Sequence, residues 1–336
     1  MPMRRPRIKA DGQAAYHCIS KSVEGRVIFP NADGASVEGE KFVEVMHKLE
    51  QFCGIRVITF ALMSTHYHIV CEVPEPVELS DTELLNRIEQ LYGRTQRDAV
   101  ERQLHYWTAE AGIPEQAQRI RNQYLRRMFD LSVFNQELKG RFAQWYNKRH
   151  HRCGPLWAGR FWSVLVQAGQ ALAAIAAYVD LNPVRAGLCS DPKDYRYCGY
   201  AEAIAVPSSP RRAGIRTALG LPDDAKWSEV ACEYRKFLYL VGLKSENQDR
   251  AGFDLQSVQR VVQQQNGQLS LAESLCCRIR YFSAGAIVGS KSFIQEHCAR
   301  WQQRLRYKRP RDPYRIETFE WAELWAFHKP RIQRWG

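Results

Sequence analysis

Two apolar stretches, Val57-Ile58-Thr59-Phe60-Ala61-Leu62-Met63 and Ile69-Val70-Cys71, flank a short polar junction at Ser64-Thr65. Their length and β-branched content predict two strands, Arg56 to Met63 and His66 to Val73, joined by a tight turn. Upstream, Tyr16 to Val23 reads as a first strand behind a basic arm. Lys41 to Phe52 then places Phe42, Val45, Met46 and Leu49 at helical spacing, and Gly54 is positioned to stop that helix. An opening order of β-α-β-β suits a split β-α-β sandwich of the ferredoxin type.

The pattern then changes period. Pro74 to Pro76 closes the third strand, and Ser80 with Glu83 three residues on has the form of a capped helix start. Residues 81 to 130 are polar and largely helical in pattern, an expected inserted lobe over about 75–130. Leu131 to Arg149 is a further helix, with Val133, Phe134, Leu138, Phe142 and Trp145 on its apolar side. Gly154-Pro155 breaks the chain, Ser163 to Val166 returns as a strand, and an alanine-rich helix runs from Ala168 to Tyr178 and a little beyond. Pro207-Ser208-Ser209-Pro210-Arg211-Arg212, although short, is the best linker candidate. Beyond it Trp227 to Val241, Asp254 to Gln264 and Leu269 to Tyr281 read as helices. The expected fold class is therefore α+β: a ferredoxin-like antiparallel sheet with helices on one face, a helical insertion and a mostly helical C-terminal extension. The expected division is residues 1–205 and 210–336, the second part being either a separate module or an extension packed on the first.

Charge narrows the partner. The 336 residues are 45% hydrophobic, enough for a substantial core, and 48 Lys and Arg against 36 Asp and Glu leave a net charge of +12. A polyanion is the natural partner of such a chain. The surplus is concentrated: residues 116–165 hold ten Lys or Arg and two acids, and residues 300–336 hold ten and four. Aromatics are interleaved in both, among them Trp145, Trp157, Phe161 and Trp162, so that cations can place phosphates while rings stack on bases. Arg4, Arg5, Arg7, Lys148, Arg149, Trp157, Arg160 and Arg185 are the candidate DNA-binding residues. Ordinary core packing is the competing account of the aromatics, and a solvated basic face that of the charges. Ten cysteines with no CxxC pair argue against a cysteine zinc site. With no apolar signal region or membrane-length run, a reducing cytoplasm is the expected location.

Candidate chemistry sits at two places. In an extended His66-Tyr67-His68 the side chains alternate, so both imidazoles share one face and Tyr67 anchors the other. Such a pair can hold a divalent ion, although a structural role is the commoner one for the motif alone. Tyr178 and Asn182 lie one helical turn apart. Tyr178 could attack a polarised phosphate or simply rim the core. Asn182 could lend an amide oxygen to the metal or end the helix before Pro183.

Taken together and in this order, Tyr16-His17-Cys18-Ile19-Ser20, Leu62 through Val70, Gly154-Pro155-Leu156-Trp157 through Arg160-Phe161, and Tyr178 through Leu188 resemble the REP-associated tyrosine transposases and related single-tyrosine insertion-sequence transposases, members of the His-hydrophobe-His endonuclease superfamily. The resemblance covers roughly residues 13 to 200 and marks residues 1–205 as a catalytic domain. It implies His66 and His68 as metal ligands, Asn182 as a third, Tyr178 as nucleophile, Mg²⁺ or Mn²⁺ as the metal, and single-stranded or hairpin DNA as the partner of a monomer or homodimer. Two departures stand out: the segment between Pro74 and Leu131 is longer than in compact relatives, and Thr65 stands where asparagine is frequent. Two other readings stay open, a metal-dependent DNA hydrolase with no covalent intermediate and a non-catalytic DNA-hairpin-binding regulator.

Overall fold

The structure, a computed structural model, describes residues 12–30, 36–243 and 251–269, with three short strands beyond them. The chain runs β1 (Ala14–Lys21), α1 (Val37–Cys53), β2 (Arg56–Met63), β3 (His66–Val73), α2 (Asp81–Tyr92), α3 (Arg94–His105), α4 (Pro114–Leu125), α5 (Leu131–Arg149), β4 (Trp162–Val166) and α6 (Gln170–Asp180). There follow the single turn α7 (Asn182–Arg185), α8 (Gly199–Ala205), α9 (Arg211–Ala218), α10 (Trp227–Val241), α11 (Leu255–Gln259), and the short strands β5 (Val288–Gly289), β6 (Tyr314–Ile316) and β7 (Leu324–Ala326). The main sheet has the order β2-β3-β1-β4 with every pair antiparallel, which is the ferredoxin-like arrangement. β5, β7 and β6 form a second, three-stranded sheet in the C-terminal extension. The expected helix at Leu269 to Tyr281 lies almost wholly outside the described residues.

Local chemistry sets the element ends. Ser36 caps α1 by accepting the Gly39 N–H at 2.9 Å, which starts the helix at Val37, ahead of the first periodic apolar position, Phe42. Gly54, at φ +68°, closes it in the left-handed conformation that costs glycine nothing. Ser80 and Glu83 make the expected reciprocal capping box at the start of α2. Asp130 caps α5 by accepting from the Ser132 and Val133 N–H groups at 2.6 and 3.0 Å.

Register gives the two faces of the sheet different contents. Cross-strand partners share a face. Ser20 and Leu62 stand opposite Tyr67, whereas Ile19 and Ala61 stand opposite His68, and Lys21 and Met63 opposite His66. The Tyr67 face is covered by α1 and α5. There Phe42 lies 4.9 Å from the Tyr67 ring and 5.3 Å from Phe142, and Trp157 lies 5.5 Å from Tyr67. The Tyr67 hydroxyl donates to the buried Asn135 side chain at 3.2 Å, so the one hydroxyl in this aromatic cluster is satisfied.

The second face is covered by α6, α8 and α9. A bulge at Ile58 in β2 lets Val57 pair with Cys71 on the Tyr67 face and Thr59 with Val70 on the histidine face. Thr59 can therefore donate to Asp180, the last residue of α6, at 2.7 Å. Asp180 also accepts from the Tyr200 N–H at 3.1 Å and the Tyr234 hydroxyl at 2.6 Å, tying α6, α8 and α10 to the sheet. Gly214 brings α9 so close to the bulge that a Cβ would lie 2.6 Å from Ile58 backbone atoms. The expected division near residue 205–210 is a tight turn: Arg211, just past it, is fully buried, ion-paired with Glu50 of α1 and 3.6 Å from Glu202 of α8. α9 packs against β2 and α10 against α6.

Candidate active site

Alternation along β3 puts His66 and His68 on one face, with ring centroids 5.1 Å apart and planes at 74°. Each imidazole is held through Nδ1. His66 Nδ1 lies 3.1 Å from the Thr65 hydroxyl, and His68 Nδ1 lies 2.9 Å from Nε2 of His17 on β1. Neither Nε2 hydrogen-bonds to a described residue. Burial lowers the pKa of His17 to about 4. Burial and then the neighbouring charges of His17, His66 and Lys21 bring His68 to about 3. His66 is lowered too, by burial and by Lys21 across the strand pair. In all three rings the environment favours the neutral form, in which an imidazole nitrogen can donate a lone pair.

The phenol of Tyr178 completes the group. α6 crosses this face, and the half-buried Tyr178 ring stands edge-on to both His17 and His68, 6.1 Å between centroids in each case. The guanidinium of Arg185, one turn past the end of α6, lies 5.0 Å over the same ring. Asn182 is at the first position of α7. Its amide nitrogen donates to the Tyr178 and Val179 carbonyls at 3.0 and 3.3 Å, so its NH₂ ends α6 while its oxygen is not engaged in those bonds. Among the described residues no three His, Cys, Asp or Glu side chains converge as a metal site. Two imidazoles are thus the described donors of those types here, and any further ligand is an amide, a phosphate oxygen or water. That set fits a hard divalent ion that keeps oxygen ligands.

The other candidates fall in different places. Trp157 is a core residue: its indole N–H donates to the Lys139 carbonyl at 3.0 Å and its ring packs on Tyr67, Phe42 and Phe142. Its ring is buried, with 9% of the residue exposed. Trp162 is the aromatic that faces outward, 59% exposed on the edge strand β4 and opposite Ile19, hence on the histidine face. Arg160 is exposed just before β4. Lys148 and Arg149 are exposed at the end of α5, in the layer behind the sheet. Arg149 stacks 5.7 Å from Trp145 and borders a groove of about 630 Å³ with Lys41 and Lys48. Arg4, Arg5 and Arg7 lie outside the described residues. His17 has no role in the sequence reading. It stands in the strand-like, family-resembling Tyr16-His17-Cys18 segment, but its contact with His68 depends on pairing between distant strands.

No protein-family model matches the chain, and no curated protein matches it. Among solved structures, the chain is similar to that of a REP-associated tyrosine transposase bound to a REP hairpin, at 12% identity over 62% of this chain and 90% of that one, with a TM-score of 0.39. At that level the likeness bears on neither activity nor substrate. No helix among the described residues is long and apolar enough to cross a membrane.

Proposed function

We propose that this protein is a DNA strand-transfer enzyme of the transposase type, cleaving and rejoining single-stranded or hairpin DNA through a 5′-phosphotyrosine intermediate. The observation that carries the reading is the meeting of the Tyr178 ring with a pair of neutral imidazoles on one sheet face, 6.1 Å from His68, which is itself 5.1 Å from His66. A divalent ion, Mg²⁺ or Mn²⁺, on His66 and His68 with Asn182 as a further donor would supply Lewis-acid polarisation of a non-bridging phosphate oxygen.

The chain's own groups do the rest. Tyr178 Oη forms the new bond to phosphorus as the bond from phosphorus to O3′ breaks. The phenol loses its proton to solvent or a neighbouring base, and O3′ leaves as a hydroxyl. The phosphodiester energy is kept in the phosphotyrosine, so a second 3′-OH can reverse the step without ATP. Arg185, over the ring, is placed to hold phosphate charge near the phenol. Trp162, at the edge of the same face, and the exposed Arg160 just before its strand suit an unpaired base and its backbone.

Incubation with labelled single-stranded hairpin DNA and Mn²⁺, followed by a denaturing gel, tests the reading. A covalent protein–DNA band is expected. Cleavage without such a band would favour a hydrolase, and retention of DNA with no cleavage would favour a regulator.

A further inference from the structure

We infer that His17 is a positioning residue that selects the metal-ready tautomer of His68; the inference rests on the proposed role of the histidine pair. His17 Nε2 and His68 Nδ1 face each other at 2.9 Å, and His17 is 5% exposed. Two neutral imidazoles that meet nitrogen to nitrogen share one hydrogen, and there are two ways to place it. If His17 donates, His68 carries its only ring proton on Nε2, and that nitrogen has no lone pair for a metal. If His68 donates from Nδ1, its Nε2 is bare and His17 is the acceptor. Only the second arrangement makes His68 a ligand through the nitrogen that has no hydrogen bond to a described residue.

The same logic applies at His66, where the Thr65 hydroxyl lies 3.1 Å from Nδ1 and can accept its proton. Thr65 and His17 thus hold the two imidazoles in matching orientation, each through Nδ1, so that both Nε2 atoms are left without a hydrogen. His17 is suited to this because a buried ring cannot swing away, and its own remaining proton then sits on Nδ1. Its stacking on His68, with centroids 5.2 Å apart and planes at 20°, fixes the ring plane as well as the proton. Partners on the far nitrogen of a ligating histidine set ring orientation and basicity, and losing one lowers metal affinity by about 10–100-fold.

The full-length metal-free protein, labelled with ¹⁵N-histidine, reports the tautomer directly. The expected spectrum shows His68 protonated on Nδ1 and bare on Nε2, with His17 protonated on Nδ1. In the same protein, Mn²⁺ titration followed by electron paramagnetic resonance should show H17F binding about 10–100-fold more weakly than wild type. H17Q, whose amide oxygen still accepts a hydrogen bond, should recover part of the loss at an unchanged melting temperature. A His68 ring protonated on Nε2 in the wild-type protein, or wild-type Mn²⁺ affinity in H17F, would overturn the inference. These outcomes differ from failure of the underlying reading, which would appear as Mn²⁺ binding that survives H66A and H68A together.

Discussion

On one side of the central sheet Tyr67 is sealed among Phe42, Phe142 and Trp157, and its single hydroxyl is matched to Asn135. On the other side, one residue away in each direction, His66 and His68 leave their Nε2 atoms without a hydrogen bond to a described residue, and the half-buried Tyr178 ring faces them. The first face uses aromatic area for stability, with every polar demand met locally. The second face spends stability: it holds three imidazoles partly out of water, where charging them is disfavoured. Two-residue periodicity lets one strand serve both, because each histidine's neighbour anchors the backbone to within the precision a ligand pair needs.

That contrast can be broken from either side. The largest effect is expected for H66A combined with H68A: covalent adduct formation should drop by about 10³-fold or more, several kcal/mol of barrier, while the melting temperature stays near wild type. Tyr67→Ala should do the reverse, costing about 3–5 kcal/mol in chemical denaturation by emptying the aromatic cluster.

Glu202 tests the layer that supports the histidine face from behind. Burial alone would raise its pKa, but His47, Arg211 and the Ser209 hydroxyl outweigh burial and bring it to about 2. A carboxyl lowered in the folded state gives stability that is full above its unfolded value, near 4.5, and is lost as pH falls toward 2. Glu202→Gln should cost about 3 kcal/mol at neutral pH, leaving buried cations short of an anion, and the gap to wild type should close on acidification through that window. The smallest effect belongs to Trp162→Ala. It should weaken binding of single-stranded DNA by about 1–3 kcal/mol in a fluorescence titration and leave both cleavage chemistry and stability in place. The same substitution at Trp157 should instead destabilise the fold.

Some of this is legible in the sequence and some is not, for physical reasons. β2 and β3 and the turn between them fall where the apolar pattern puts them, as do α5 and α10, because each has a period and an end signal in its own residues. α1 begins earlier than its apolar spacing, at a serine cap that packing does not require. The histidine pair was legible because two-residue alternation is local. His17 was not, since its meaning comes from a strand register set by residues fifty positions away. Arg211 looked like part of a basic linker, and only the carboxylates of Glu50 and Glu202, brought from two other helices, explain how a guanidinium is tolerated inside. Composition cannot tell which aromatic of a basic segment points inward: Trp157 packs in the core and Trp162 faces out.

Mass spectrometry of tryptic peptides after reaction with hairpin DNA and Mn²⁺ tests the central claim most directly. The account predicts a nucleotide attached through its 5′-phosphate to the peptide containing Tyr178, a matching free 3′-OH on the released strand, and loss of both in Tyr178→Phe. Strand cleavage that persists in Tyr178→Phe, with no modified tyrosine, would contradict it.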